Sequence, residues 1–455
     1  MKRNTTQVLT TLVMLACCSC GDFLDVKPDA RLTIPSSLDD LQALMDYGGL
    51  FTTIPNAGAI SGEEFYVTDQ DLSSLTSEWH RRIYMWEKEG LFSNESIDWN
   101  VVSQAVYYCN TVLEHLEGMT RDNRTATKFD NIKGSAKYYR AAALFHASLI
   151  WAPAYDELKA QGLLGMPLRT TTDFNIPSVR ANLYDTFQFI IGDLKESIGL
   201  LPETATHVVR ASKSSAYALL ARVYLYMGNY EDAMLYADLC LAIKDVLLDY
   251  NTLDGTVQYP IPAYNEEVIF HYEMDAGQIM NLSRGKVNQD LVELFDDADL
   301  RKQLFFQANP DGTYGFRGRY SGWVALFGGL ATDEMYLIRA ECNARQGNWY
   351  EALTDLNTLL TARYEVREGV SLYNPIVPTS ADETLHLVLT ERRKELMFRG
   401  LRWYDVKRLN IGGAEISLTR VINGDTRILP PHDPRYALPL PEDIIALSGM
   451  PQNPR

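Results

Sequence analysis

Two segments far apart in the chain share one frame, and that frame limits what the chain can build. Residues 221–233 read ARVYLYMGNYEDA and residues 340–352 read AECNARQGNWYEA. Each carries Ala, then Gly-Asn-aromatic, then Ala. In a helix-turn-helix repeat, a small residue on the first helix lets the second approach. Gly permits the turn, and the second Ala fits the close crossing. A chain built this way is helical and buries its apolar faces between paired helices.

Tyr217, Leu220, Ala221, Tyr224, Gly228, Tyr230, Ala233 and Ala237 fall at tetratricopeptide spacings, and Tyr336, Ala340, Gly347, Trp349 and Ala352 follow the frame less completely. The copies are too widely separated for a regular solenoid. Residues 136–151, AKYYRAAALFHASLIW, are apolar almost all round and predict a buried helix. Residues 183–201 place Phe187, Ile190, Ile191, Leu194 and Ile198 on one helical stripe, and Pro202 stops it. Residues 265–272 and the Gly/Tyr-rich stretch 311–329 lack a helical period and read as loops and short extended pieces.

Residues 391–409, ERRKELMFRGLRWYDVKRL, form the densest mixed-charge run. Glu395 with Arg399 is an i,i+4 pair, and Arg402 with Asp405 and Asp405 with Arg408 are i,i+3 pairs, so a salt-bridged helical face is expected. Leu396 and Trp403 point to the core, and Gly400 marks a break. Because acids alternate with bases, a structural network is preferred over an anion clamp. The proline-rich tail, 438–455, leaves room for one short helical turn and reads as a packed strap, with a free end as the alternative.

The first residues, MKRNTTQVLTTLVMLACCSC, have a charged head at Lys2 and Arg3 and a short apolar body from Val8 to Ala16, the build of a secretory signal. That body is too short to span a bilayer, which takes about 20 apolar residues. Cys17, Cys18 and Cys20 each stand where a lipoprotein cysteine could accept its diacylglycerol. The formal charge of −17 over 455 residues becomes −19 once Lys2 and Arg3 leave with the signal. That sign excludes nucleic acid as a natural partner and leaves the lipid as the membrane contact. Cys109, Cys240 and Cys342 sit singly in apolar helical patterns and read as buried hydrophobes. Outside the leader there is no CxxC, the chain has no HExxH, the seven histidines are scattered, and neither a metal nor a cofactor is expected.

Several ordered segments together resemble one family. They are Cys20-Gly21-Asp22-Phe23-Leu24-Asp25 with Pro28, Arg140-Ala141, Asp193-Leu194 before Leu201-Pro202, and Asn265-Glu266-Glu267-Val268-Ile269-Phe270. Asp299 with Arg301 follows, then Glu334-Met335-Tyr336-Leu337-Ile338-Arg339-Ala340-Glu341, then residues 391–396 with Gly400, Arg402, Asp405 and Arg408, and finally Gln452-Asn453-Pro454. On these the chain is similar to the SusD/RagB family of outer-membrane nutrient-binding lipoproteins. Arg399 stands where the family often has Glu, and the aromatic after the Asn-Pro end is absent. The resemblance implies an all-α fold of about four tetratricopeptide-like helix pairs with an irregular, loop-rich ligand-binding half. It also favours Cys20 as the lipidated residue, with residues 1–19 as signal peptide and 20–455 as a single domain. It further implies cell-surface attachment at the outer membrane and a SusC-like TonB-dependent transporter as partner.

The expected function is capture of an oligosaccharide and its delivery to that transporter, without enzymatic turnover. Sugar recognition needs flat aromatic faces with polar groups beside them. Trp99, Tyr107, Trp349 and Trp403 sit in helical or core contexts and are assigned to packing. Tyr66 and Trp79, in a polar region without period, and Tyr314, Tyr320 and Trp323, in a glycine-rich loop, are the candidate ligand contacts. Peptide cargo on the same scaffold and a tetratricopeptide-type protein-interaction scaffold are the alternatives. A glycosidase is disfavoured for want of an identifiable catalytic motif.

Overall fold

The computed structural model describes residues 35–92, 97–378 and 380–455. Cys20, the rest of the signal region and residues 21–28 lie outside the described residues. The fold is mostly helical, with short strands confined to the irregular regions. The helices that position the site are α1 (Ile97–Glu117), α2 (Ala126–Trp151), α3 (Leu183–Ile198), α4 (Lys213–Met227), α5 (Tyr230–Leu241), α6 (Thr332–Arg345), α7 (Trp349–Thr361), α8 (Ala381–Glu395) and α9 (Arg402–Ile411).

The two repeated segments become the pairs α4/α5 and α6/α7. Ser212 opens α4 with a reciprocal cap: its hydroxyl accepts from the Ser215 N–H while the Ser215 hydroxyl accepts from the Ser212 N–H. Gly228 closes that helix at φ +76°, and the Asn229 side chain then caps α5 by accepting from the Asp232 N–H. Gly347 repeats the turn at φ +84°. Ala221, Ala233, Ala340 and Ala352 are fully buried, as close helix crossing requires.

Copies that are distant in sequence are neighbours in space, because α5 packs directly on α6. The residues between them leave the helical layer and supply much of the irregular half. Before them α1 pairs with α2, and α3 bridges α2 and α4. The last pair is looser: α8 packs on α6 and α7, whereas α9 packs on α4 and on the short helix Ala57–Ser61. An ion pair, Arg392 to Asp405 at 2.9 Å, ties α8 to α9.

The charged run departs from its expected pairing. Helix α8 ends at Glu395, and Phe398 and Gly400 adopt φ of +56° and +72°. That left-handed backbone destroys the helical register, so residues four apart no longer share a face. Arg399 pairs with Asp333 instead of Glu395, and Arg402 with Glu63 instead of Asp405. Asp405 and Arg408 do pair, at 2.7 Å. The network is internal: Arg301 bridges Asp299, Glu391 and Glu395, and Arg363 bridges Glu395 and Glu267.

Cys109, Cys240 and Cys342 are free and buried. The tail is a strap with one short helix, Glu442–Ser448. The Leu438 N–H donates to the Ile150 carbonyl at 2.9 Å, and the Asn453 amide donates to the Trp151 and Leu438 carbonyls.

Candidate functional site

In the irregular half, three stretches of chain meet around one carboxylate. The strand Glu273–Met274 pairs antiparallel with Leu326–Phe327, setting Glu273 opposite Phe327. On its other side the Glu273 N–H donates to the Thr52 carbonyl at 2.7 Å, and its carbonyl accepts from Ile54 at 2.9 Å. With its backbone fixed on both edges, Glu273 holds Trp323: the indole Nε1 donates to Oε1 at 2.8 Å. The indole is 51% exposed, so its ring is anchored by one edge and open to solvent elsewhere.

The loop bearing Trp323 is tied down behind it. Arg319 donates to the Phe316, Val324 and Met280 carbonyls, and Arg317 to those of Val257, Gly255 and Gln303. Gly322, at φ +74°, lets the loop press on the neighbouring segment, where a Cβ would stand 2.7 Å from the Ala263 nitrogen. Beside Ala263, Tyr264 is 49% exposed on a left-handed backbone of φ +56°. Its ring lies 4.9 Å from His207 and 4.7 Å from His271, edge-on to both.

His271 is buried, and its Nε2 meets the same Oε1 of Glu273 at 3.0 Å. A proton on Nε2 lets that nitrogen donate to the carboxylate, leaving Nδ1 as an acceptor with no partner among the described residues. Burial works against the Glu273 charge, but the hydrogen bonds from His271 and Trp323 outweigh it and hold the carboxyl below the usual glutamate range. The surface gathers partly exposed rings, Trp323 on one loop and Tyr264 with His207 on the segment that Gly322 approaches, with a charged acceptor and a buried imidazole.

Of the residues chosen from sequence, only Trp323 lies on this surface. Tyr320, next to it in the loop, is 1% exposed. Its hydroxyl donates to Glu267 at 2.7 Å and shares a 2.6 Å hydrogen bond with Tyr250, and the Arg399 guanidinium sits 4.0 Å from its ring centre. Trp79 is 7% exposed and packs against His80 and Phe92. Neither offers a face to a ligand. Tyr66 and Tyr314 share a small antiparallel sheet ordered Phe65–Tyr66, Lys286–Val287, Tyr314–Phe316, Phe306–Ala308, where both are half-buried. Tyr107, assigned to packing, is instead 37% exposed and stacked on Phe174. Sequence reasoning missed Tyr264, Glu273, His271 and His207; the one available signal was Tyr264 following two prolines in a segment with no period.

The sequence profile described as "Starch-binding associating with outer membrane" matches residues 22–225, and the profile of the SusD family matches residues 332–428. The chain belongs to the SusD/RagB family. SusD-like protein P2 of Formosa agariphila is 24% identical over 59% of this chain, a match that spans 65% of that relative's length. A solved SusD superfamily protein from Bacteroides fragilis, 20% identical, superposes with a TM-score of 0.74 over 92% of this chain and 99% of its own. A SusD-like carbohydrate binding protein from Bacteroides vulgatus, 17% identical, gives 0.67 over 91% and 97%. Both agree with the helical fold described above.

The surface around Trp323 offers two kinds of contact. Rings present C–H-stacking faces, and the Glu273 carboxylate and histidine nitrogens are hydrogen-bonding groups beside them. Among the described residues no cluster of His, Cys, Asp and Glu is arranged to hold a metal ion, and no helix is long and apolar enough to cross a membrane.

Proposed function

We propose that this SusD-family protein captures an oligosaccharide on the Trp323–Tyr264 surface and hands it to a SusC-like TonB-dependent transporter of the outer membrane. A lipid on Cys20 holds it at the cell surface, and it turns nothing over. The observation that carries the reading is the half-exposed Trp323 indole pinned to Glu273 beside the exposed Tyr264 ring. A flat apolar face with its rotamer already fixed binds a sugar ring without a large ordering cost. Tyr66 and Tyr314 lie outside this stacking face in the reading.

The test is calorimetric titration of the mature protein with a panel of oligosaccharides, maltooligosaccharides first. Trp323→Ala is expected to weaken binding about tenfold, equal to about 1.4 kcal/mol, and Tyr264→Ala to weaken it as well. Tyr320→Phe keeps the buried ring and leaves affinity within about twofold. A panel that the wild-type protein ignores, or unchanged affinity in Trp323→Ala, overturns the assignment.

A further inference from the structure

The Trp323 surface carries charge of one sign. Both hydrogen bonds to the Glu273 carboxylate, from Trp323 Nε1 and His271 Nε2, fall on Oε1. Oε2 accepts no hydrogen bond among the described residues, and the Glu273 side chain is 28% exposed. The donors on Oε1 hold the carboxyl below the usual glutamate range, so it is charged at neutral pH. An ionised carboxylate only accepts, which leaves Oε2 as an unfilled acceptor beside the half-exposed indole.

Nothing basic in the surrounding chain cancels that charge. Residues 251–283, which carry Tyr264, His271 and Glu273, contain no lysine or arginine. The two arginines of the Trp323 loop, Arg317 and Arg319, each donate to three backbone carbonyls, and Arg319 is buried. Arg210, three residues after His207, is paired with Asp46 at 2.6 Å. The exposed His207 accepts the Val209 N–H on Nδ1 at 3.3 Å, which requires that nitrogen to be without a proton and the ring to be uncharged. Glu273 has one ionic partner among the described residues, the buried His271. Glu266, two residues after Tyr264, is exposed and adds a second carboxylate to the same segment, while Lys244, the cation it acts on, is half-buried with its ammonium on the Val268 carbonyl at 2.8 Å.

These observations bear on what a stacked sugar can present to Glu273. A hydroxyl brings the proton that Oε2 lacks, and a hydrogen bond to a charged acceptor is of the stronger kind. A uronate carboxylate or a sulfate ester is itself ionised at neutral pH. It offers Oε2 no proton and sets like charges together where no guanidinium or ammonium of these segments stands ready to offset them.

We propose that Glu273 is a specificity-determining residue that restricts the Trp323 surface to uncharged glycans: a sugar hydroxyl donates to Oε2 while the sugar ring stacks on the indole, and glycans bearing carboxylate or sulfate groups are turned away. The restriction rests on the oligosaccharide reading of this surface and adds the class of glycan to it.

The test is calorimetric titration of the mature protein at neutral pH with matched pairs on one backbone: maltohexaose, cellohexaose and mannohexaose, each against its C6-oxidised uronate form. Where the neutral member binds, the acidic member is expected to bind at least about tenfold more weakly at low salt, and the gap narrows as salt screens the repulsion. Glu273→Gln keeps an oxygen for the indole and the imidazole and removes the charge. It is expected to close the gap about tenfold, weakening the neutral member and admitting the acidic one, with an unchanged melting temperature as the check on folding. The salt series on wild type needs no variant. A gap that neither salt nor Glu273→Gln alters belongs to the lost C6 hydroxyl and overturns the proposal. Acidic members that bind as tightly as neutral ones, and lose binding on Trp323→Ala, overturn the restriction while leaving the capture site in place. If no member of any pair binds, the capture reading itself fails and the restriction fails with it.

Discussion

Trp323 and Glu273, separated by 50 residues in the chain, are joined by a 2.8 Å hydrogen bond from the indole Nε1 to Oε1. The same oxygen meets His271 Nε2 at 3.0 Å. One carboxylate oxygen therefore orients an exposed indole and a buried imidazole together. Its own backbone is bonded to Thr52 and Ile54, so the anchor does not drift. The exposed ring is a fixed platform despite standing in a glycine-rich loop.

Replacing Glu273 by Gln keeps an acceptor oxygen and removes the charge. Oligosaccharide affinity is expected to fall about threefold to tenfold, since charge-assisted hydrogen bonds are roughly twice as strong as neutral ones. The pH response follows from a depressed carboxyl. Its charged form persists below the ordinary glutamate value of about 4.3. Wild-type affinity then stays level as pH falls past that value and drops only at more acidic pH, whereas Glu273→Gln gives no such drop. Titrations between neutral pH and the acid limit of folding check this, and identical profiles would contradict it.

Glu64 predicts the opposite sign for stability. Its carboxyl is buried and accepts from the Phe398 N–H at 2.9 Å; burial pushes its pKa up to about 7. Unfolded, the same group loses its proton near the ordinary value of about 4.3. Between those pH values the folded state binds more protons, so this group's contribution to stability decreases as pH rises and is lowest above about 7. Glu64→Gln imitates the protonated form. It is expected to match wild type in denaturant melts near pH 4 and to exceed it by about 4 kcal/mol near pH 8, from about 1.36 kcal/mol for each pH unit of the shift.

Arg363 is fully buried between Glu267 and Glu395, at 2.6 and 2.8 Å. Arg363→Met fills much of the volume and strands the Glu267 carboxylate in the interior, while Glu395 keeps Arg301 at 2.9 Å, an expected loss of about 3–5 kcal/mol. Arg367 is the control: its partner Glu365 is equally near at 2.8 Å, but the Arg367 side chain is 66% exposed. Arg367→Met is expected to cost less than about 1 kcal/mol, because solvent already screens the pair. Equal midpoint shifts for the two variants in urea would refute the argument.

The helical layer was legible because its signals are local. The all-round apolar character of 136–151 becomes the buried α2, and the Gly-Asn turns become the positive-φ corners at Gly228 and Gly347. Adjacency of α5 and α6 was not legible, since no local pattern spans the long excursion between them. The charged run misled for a related reason: i,i+4 logic holds only while the helix continues, and Phe398 reverses the backbone after α8 ends. Tyr320 and Trp79 looked free because they lie in stretches without period. In this half, however, irregular backbone is buried by arginine–carbonyl bonds and ring packing, and of the five rings chosen from sequence only Trp323 is about half exposed. Tyr264 and Glu273 escaped notice because what unites them with Trp323 is a strand pairing and a close approach at Gly322.

The final prediction concerns attachment, where the three leader cysteines are distinguishable. A formal net charge of −17 gives the chain no net attraction to an anionic membrane. A single acyl chain anchors only marginally at about 0.8 kcal/mol per buried methylene, so durable attachment requires a multiply acylated cysteine. If Cys20 is that residue, Cys20→Ala abolishes incorporation of labelled palmitate and moves the protein from the membrane fraction to the soluble or unprocessed pool. Cys17→Ala and Cys18→Ala, which keep the residue beside Gly21-Asp22-Phe23-Leu24, retain both label and membrane association. Loss of label in Cys18→Ala with retention in Cys20→Ala would move the anchor two residues upstream and lengthen the tether, without altering the fold or the Trp323 surface. Freely released wild-type protein without acyl groups would remove the anchor from the proposed function altogether.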